Sequence, residues 1–213
     1  MKVFGVPFSP FVRKVYLVAA LKGVEIEPAL ANPRDPSPEF LACSPFRKMP
    51  AILDGDFALA DSSAIAAYID AKHPEPALYP ADPCARGKAV WWEEFADTIV
   101  MPASGKVVFN RFVSPRFFGQ PGDEAAAEQG VADLQPLFAY LETEAPASGW
   151  LAGEAFSIAD IAVATALKTL SYVGVALDPV KHPKACAWYA RVAELPVWQA
   201  VAAREAAAMS PPG

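Results

Sequence analysis

A predicted β-hairpin lies in the stretch SPFRKMPAILDGDFAL, residues 44–59. Ala51–Asp54 and Phe57–Leu59 have the length and composition of short strands, and the intervening Asp54-Gly55-Asp56 is typical of a tight turn between antiparallel strands. A proline, Pro50, stands immediately before the first of these strands. This stretch therefore predicts two neighbouring strands of a sheet with a proline at the entrance.

Pro50 has two interpretations. As an ordinary trans proline it would open an edge strand, where a missing N–H is tolerated. A cis Met49–Pro50 bond would instead turn the backbone of Met49 outward, so that its N–H and C=O could pair with a ligand as an added strand does. Base rates for proline favour the trans form, so the residues alone leave both open.

The residues upstream of the hairpin predict a βαβ unit. Lys2–Gly5 is a short apolar strand, and Ser9 followed by Pro10 is typical of a helix start, with serine as N-cap and proline at the first helical position. The helix is expected to end at Lys22-Gly23, and Glu25–Glu27 to form a second strand. A strand, a helix and a strand in so few residues predict a parallel pair with a right-handed crossover.

Downstream of the hairpin, Asp61-Ser62 is expected to cap a helix that runs to about Lys72. Residues 72–83 contain four prolines, which indicates a linker, and the sequence beyond it is typical of helices only. We therefore predict an α+β domain of order βαβ-ββα, then an all-α helical bundle. The predicted bounds are 1–79 for the first domain, 80–85 for the linker and 86–213 for the second domain.

Helices of the second domain follow from the spacing of apolar residues. Trp91, Phe95 and Ile99 share a helical face, and Pro102 is expected to bend or end that helix. Ser157–Tyr172 is apolar almost all round, which predicts a buried central helix. The remaining predicted helices contain 131–141, 183–193 and 196–208.

Composition and charge exclude several classes of function. The chain has 213 residues and a net charge of −6 without a basic stripe, so no nucleic-acid partner is expected. No apolar run has the length of a membrane span and the N-terminus does not resemble a signal peptide, so we expect a cytoplasmic protein without a membrane partner. With only three cysteines and two histidines, neither a metal site, a disulfide framework nor a Ser-His-Asp triad is predicted.

Two helix starts are candidate ligand sites. The helix after Asp61-Ser62 offers amides to a carboxylate while the Asp61 carboxylate can pair with an ammonium, so the pair could hold an amino-acid head group. Ser9 lies where the dipole of its helix is positive, and its hydroxyl could donate to a thiolate. Each residue has an equally plain interpretation as a helix cap.

Together, these segments resemble the thioredoxin-like domain of cytosolic glutathione transferases, most closely the serine-type phi and tau classes of plants. The resemblance is carried by residues 3–15, 44–56 and 59–69. It implies that Pro50 is cis, that the backbone of Met49 pairs with the cysteinyl part of glutathione, and that Asp61 and Ser62 hold its γ-glutamyl head. It further implies that Ser9 activates the glutathione thiol and that Lys48 lies beside the ligand.

The resemblance also implies an activity and a partner. Glutathione would be the co-substrate, its thiolate would attack an apolar electrophile in a detoxification reaction without a metal, and the protein would be a homodimer. Helices at the start of the second domain would form the electrophile pocket, for which Phe11, Met101 and Phe109 are candidates. Ser157 and Asp160 match a capping box that the family carries on its central helix, and we interpret them as structural.

Two departures from the family pattern bear on the glutathione site that the resemblance implies. Phi-class chains carry a His-Lys pair where this chain has Asp35-Pro36, so Arg34 or Lys48 would have to meet the glycyl carboxylate. The acidic residue of the γ-glutamyl site is Asp61 where glutamate is more common.

Two rival functions share this fold. One is a non-catalytic binding or regulatory module, which would not need to retain a thiol-activating group such as Ser9. The other is a thiol reductase, which would need a cysteine at position 9, where this chain has serine. The joint presence of Ser9, Pro50 and Asp61-Ser62 favours the transferase.

Overall fold

A computed structural model of the chain describes residues 1–209, which form two compact units. The first unit comprises Met1–Tyr79 together with the residues from Glu194 onward, and the second comprises Pro80–Ala193. No helix among the described residues is both long and apolar enough to cross a membrane.

The first unit is built on a four-stranded mixed sheet of order β2-β1-β3-β4. β1 pairs in parallel with β2 and antiparallel with β3, and β3 pairs antiparallel with β4. The strands are β1 Lys2–Gly5, β2 Glu27–Leu30, β3 Ala51–Asp54 and β4 Phe57–Ala60. The helices between them are α1 Pro10–Leu21, α2 Pro38–Cys43 and α3 Ser62–Lys72. The predicted order βαβ-ββα is thus confirmed, with α2 between the second and third strands.

The second strand lies further along the chain than predicted. The sequence indicated Glu25–Glu27, whereas β2 begins at Glu27, whose N–H donates to the carbonyl of Met1 over 2.9 Å. Pro28, the second residue of β2, cannot donate a hydrogen bond to a ladder. As β2 is the edge strand of the sheet, one of its sides makes no ladder bonds, and a proline is tolerated there.

Helix α1 packs closely on the sheet. Val12 and Val15 are fully buried, and Gly5 at the end of β1 lies so near Val12 that a Cβ at position 5 would come within 2.3 Å of its Cγ2. A side chain at position 5 would therefore push α1 away from β1. This close approach fixes where the loop between β1 and α1 can run.

The last described helix, α10 (Pro196–Met209), belongs to the first unit and contacts α1. Residues from Glu194 onward were predicted to continue the all-α domain, and residues 210–213 of that predicted range lie outside the described chain. The proposed domain bounds, 1–79 and 86–213, therefore need the addition that α10 packs with the first unit.

The second unit contains only helices. They are α4 Pro83–Glu94, α5 Met101–Val108, α6 Ser114–Phe117, α7 Glu124–Glu144, α8 Ile158–Ser171 and α9 Pro183–Ala193, with π-helical segments at Phe95–Val100 and Phe109–Val113. Pro102 does not end the helical run, which continues from α4 through the π-helical segment into α5. The wider π-helical turn directly before it relieves the clash that a proline ring makes with the carbonyl four residues earlier.

Helix α8 is the buried centre of this unit, and Asp160 organises its start. Asp160 is fully buried, and its Oδ1 accepts hydrogen bonds from Leu151 N at 3.0 Å and Trp188 Nε1 at 2.8 Å. Its Oδ2 accepts from Ser157 N at 3.1 Å and Ser157 Oγ at 3.3 Å. Burial raises the pKa of Asp160 while these four donors oppose the rise. The carboxylate therefore joins α8 to α9 and to the loop that precedes α8.

We expect Asp160→Asn to destabilise the protein by about 3 kcal/mol, because the single amide oxygen leaves at least two buried donors without an acceptor. Urea unfolding followed by circular dichroism measures the change. Asp123→Asn is the matched control, since Asp123 caps α7 through one bond to Ala126 N and asparagine caps equally well, so its effect should stay below about 0.5 kcal/mol. Equal unfolding midpoints for the two variants would contradict this role of Asp160.

Candidate functional site

Three chain segments that carry the predicted site residues meet at one edge of the sheet. The end of β1 and the start of β3 are paired through Phe4 and Ala51, and Ala51 is paired in turn with Ala60 at the end of β4. The loop to Ser9 leaves β1 at this edge, Met49 and Pro50 enter β3 there, and Asp61 leaves β4 there. The sheet register thus gathers residues that are about 50 positions apart in the sequence.

Ser9 is the N-cap residue of α1, but its hydroxyl does not cap the helix. Its backbone is extended, with φ −68° and ψ 129°, and its side chain makes no hydrogen bond within residues 1–209. Ser37 occupies the same position before the Pro38 of α2, and its hydroxyl accepts from Phe40 N at 3.2 Å. The half-buried Ser9 hydroxyl therefore stands at the positive end of a helix with its donor unused.

The entrance to β3 presents an unpaired stretch of backbone. The Met49–Pro50 peptide is cis, as the family resemblance implied. Within the described chain neither the N–H nor the C=O of Met49 makes a hydrogen bond. The preceding loop is held by Ser44, whose hydroxyl donates to Lys48 O at 2.7 Å and accepts from Lys48 N at 3.0 Å. Met49 thus offers one donor and one acceptor beside the end of the sheet.

Asp61 lies in an unusual backbone conformation, with φ 83° and ψ 130°, which favours glycine. Its Oδ1 caps α3 by accepting from Ser63 N at 2.9 Å and Ala64 N at 3.1 Å, and its own N–H donates to Pro50 O at 3.2 Å. Its Oδ2 makes no hydrogen bond within residues 1–209. One carboxylate oxygen of this exposed residue is therefore available to a cation.

A buried lysine lies beneath this helix start. Lys14 of α1 is 1% exposed, and its Nζ donates to Ser63 Oγ at 3.0 Å. The neighbouring Ser62 is 4% exposed and its hydroxyl makes no hydrogen bond within the described chain. The sequence reasoning missed Lys14, although a lysine next to Val15 on a predicted buried face was a signal. Lys14 adds positive charge to the end of α3 that already favours anions.

The remaining predicted residues of the first unit are less constrained. Lys48 is exposed directly before Met49, and Arg34 is exposed in the loop before α2. Phe11 is half-buried in the first turn of α1.

In the second unit, the predicted pocket residues lie at the two ends of helix α5. Met101 is half-buried at the start of α5, and Phe109 follows its end with 48% of its surface exposed. The ring of Phe109 lies 6.1 Å from that of Phe118. Phe109 therefore belongs to a partly exposed aromatic surface.

The second unit also contains a stacked aromatic pair that the sequence reasoning did not single out. The rings of Phe112 and Tyr172 are 5.6 Å apart at an interplanar angle of 21°. Arg116 lies 5.6 Å from the Phe112 ring and Lys168 lies 5.3 Å from the Tyr172 ring. The density of phenylalanine between 109 and 118 was the available signal, but nothing in the sequence linked it to Tyr172.

No group of histidine, cysteine, aspartate and glutamate suited to a metal ion occurs in the part of the chain that the structure describes. The chemistry available at the sheet edge consists of hydroxyl, amide, carboxylate and ammonium groups. Such a set can hold a zwitterionic ligand and stabilise an anion near Ser9.

Comparison with known proteins identifies the family. Residues 3–77 match the model of the glutathione S-transferase N-terminal domain, and residues 100–196 match that of its C-terminal domain. Glutathione S-transferase 3 of Zea mays is 32% identical over 211 residues, which cover 97% of this chain and 90% of the relative.

Solved structures agree with this result. An apo structure of glutathione S-transferase III is 29% identical, with a TM-score of 0.83 over 100% of this chain and 98% of that one. A structure of glutathione S-transferase I bound to lactoylglutathione is 25% identical, with a TM-score of 0.84 over 95% of this chain and 98% of that one. The chain therefore belongs to the glutathione S-transferase family, as its resemblance to the serine-type plant enzymes predicted.

Proposed function

We propose that this chain transfers the thiolate of glutathione to an apolar electrophile and that Ser9 stabilises the thiolate. The observation that carries the proposal is the unused hydroxyl of Ser9 at the N-terminus of α1, at the same sheet edge as Met49 and Asp61. The relative solved with lactoylglutathione binds a glutathione derivative on the same fold, which supports glutathione as the ligand.

The γ-glutamyl end of glutathione carries an ammonium and a carboxylate, and α3 begins with a partner for each. The unused Oδ2 of Asp61 would accept from the ammonium. The Ser62 hydroxyl and the first amides of α3 would donate to the carboxylate, with the Lys14 ammonium behind them. The zwitterion thus matches both charges of this helix start.

The middle of the tripeptide would pair with backbone. The unpaired N–H and C=O of Met49 match the C=O and N–H of a cysteinyl residue lying antiparallel to it, as an added strand does. Lys48, exposed one residue earlier, would meet the glycyl carboxylate. This register would leave the cysteinyl sulfur pointing toward α1 and Ser9.

The chemical step needs only a stabilised thiolate. The Ser9 hydroxyl would donate to the sulfur and the dipole of α1 would favour its negative charge, so that the thiol proton leaves to solvent on binding. Lowering a thiol pKa by about two units requires roughly 2.7 kcal/mol, within reach of one charge-assisted hydrogen bond and a helix terminus. The sulfur lone pair then forms the bond to the electrophilic carbon, and the leaving group departs with the bonding pair.

The electrophile would bind against apolar and aromatic side chains. Within the second unit, Met101 and Phe109 at the two ends of α5 are the proposed pocket residues. The stacked Phe112–Tyr172 pair adds a flat aromatic surface to the same unit. We further propose that the protein acts in the cytoplasm, where glutathione is abundant, and that its role is detoxification.

We expect Ser9→Ala to lower the rate of conjugation of 1-chloro-2,4-dinitrobenzene at pH 6.5 by about 10²-fold, because the thiolate loses its donor. In titrations of the glutathione complex, the thiolate absorbance near 240 nm should rise at a pH about two units higher than in the wild type. A wild-type complex whose thiol titrates like that of free glutathione would contradict the enzymatic proposal. Binding without conjugation would then favour a non-catalytic module.

Ser37→Ala is the matched control for Ser9→Ala, because both serines precede a proline at the start of a helix. Ser37→Ala should cost about 1 kcal/mol of stability, since its hydroxyl caps α2, and should leave the bound thiol pKa unchanged. Ser9→Ala should cost less stability than Ser37→Ala, since its hydroxyl makes no cap bond. The reverse order would show that Ser9 is an ordinary cap.

Asp61→Gly should separate binding from stability. Glycine accepts a φ of 83° without strain, which offsets the lost cap. In urea unfolding, the free energy of unfolding of Asp61→Gly should therefore exceed that of Asp61→Ala by about 1 kcal/mol. Both variants should bind glutathione at least about tenfold more weakly in calorimetry, because both lack the carboxylate. Wild-type affinity in either variant would remove Asp61 from the proposed site.

We also propose that the protein is a homodimer. Multi-angle light scattering should give about twice the chain mass of 22.7 kDa at micromolar concentration. A mass equal to that of one chain across this range would contradict the dimer and leave the proposed chemistry unaffected, since the thiolate-stabilising groups come from one chain.

A further inference from the structure

A buried ion pair joins α1 to the last described helix of the first unit. Arg13 and Glu205 are 1% and 4% exposed, and they meet through two parallel hydrogen bonds, Nε to Oε2 at 2.6 Å and Nη2 to Oε1 at 2.5 Å. The two residues are 192 positions apart in the sequence. This two-pronged contact fixes the plane of the guanidinium as well as its position.

The same guanidinium also holds the chain next to Ser9. Arg13 Nη2 donates at 3.3 Å to the carbonyl oxygen of Phe8, which belongs to the peptide that joins Phe8 to Ser9. The Ser9 carbonyl accepts from Arg13 N at 2.9 Å, and Ser9 N donates to Val6 O at 3.1 Å. Since the Ser9 hydroxyl has no hydrogen bond within residues 1–209, its direction depends on the backbone that these contacts fix.

We propose that Arg13, clamped by Glu205, is a positioning residue that orients Ser9 toward the glutathione sulfur. This inference rests on the proposed function. It gives α10 a role in thiolate stabilisation that acts through Arg13 and needs no contact between α10 and the thiolate. Because Arg13 Nη2 donates to both Glu205 and Phe8, the guanidinium group cannot rotate without breaking a hydrogen bond. The peptide of Phe8 and Ser9 is thereby held in one orientation.

Energetics favour a geometric role over simple stabilisation. Removing arginine and glutamate from water is costly, and a buried ion pair seldom stabilises more than apolar residues of the same size. Its distinctive property is a fixed geometry of several donors and acceptors. A pair that spans 192 positions and ends on the peptide before Ser9 is suited to that use.

A second buried ion pair on α1's C-terminal side provides a built-in comparison. Lys22, just after α1, meets Asp70 of α3 at 2.6 Å, with side chains 0% and 13% exposed. Asp70 also accepts from Leu78 N at 2.8 Å. This pair is buried in the same unit but lies at the far end of the helix from Ser9. Breaking it tests what lost stability alone does.

The experiment compares Glu205→Gln with Asp70→Asn in the full chain. For each variant we would measure the pH dependence of the bound thiolate absorbance, kcat and KM for glutathione, and the melting temperature. Glu205→Gln should raise the pKa of the bound thiol by about one unit and lower kcat at pH 6.5 by about tenfold. Its KM for glutathione should change less than about threefold, since Met49, Asp61 and Ser62 are untouched. Asp70→Asn should lower the melting temperature and leave the thiol pKa as in the wild type.

Arg13→Lys keeps a positive charge opposite Glu205 but lacks the fork, so it should raise the thiol pKa even if Glu205→Gln does not fold. A wild-type thiol pKa in either folded variant, or an equal rise in Asp70→Asn, would overturn the positioning role. A wild-type enzyme that binds no thiolate would instead overturn the proposed function itself. The two failures are therefore distinguishable.

Discussion

Strand β3 lies between β1 and β4, and the rest of the candidate site depends on this pairing. The register that joins Phe4 to Ala51, and Ala51 to Ala60, brings three distant loops to one edge of the sheet. A slip of one residue would turn the side chains of Ala51 and Ile52 each to the face opposite its present one. It would also separate the loops. The site is therefore as well defined as the core of the sheet.

The two helices that start at this edge give an acidic protein a local attraction for anions. The chain has a net charge of −6, so its overall field does not draw in an anionic ligand. The N-termini of α1 and α3, with Lys14 buried behind α3, place partial and full positive charge where the thiolate and the glutamyl carboxylate would lie. The two helix starts can therefore attract an anion locally although the net charge is negative.

Residues close in sequence were predictable, and those that meet across the fold were not. The hairpin, both helix starts and the interpretation of Ser9, Pro50 and Asp61 as one set followed from short-range patterns and family resemblance. Periodicity treated α1 only as an apolar face, so it passed over Arg13 and Lys14, whose buried charges have partners in α10 and α3. No local pattern links positions 13 and 205, because their contact exists only once α10 packs on α1.

Several features of the sheet edge are unfavourable for folding alone. Asp61 holds a backbone conformation suited to glycine, the Met49 amide and carbonyl lack partners within residues 1–209, and the Ser9 hydroxyl gives up the cap bond that Ser37 makes. Selection for stability alone would favour neither the positive φ of Asp61 nor the missing cap bond of Ser9. All three features lie at one edge of the sheet, and each has a group without a partner within residues 1–209: a carboxylate oxygen, a backbone amide with its carbonyl, and a hydroxyl. One ligand with an ammonium, a peptide backbone and a thiolate can satisfy them together.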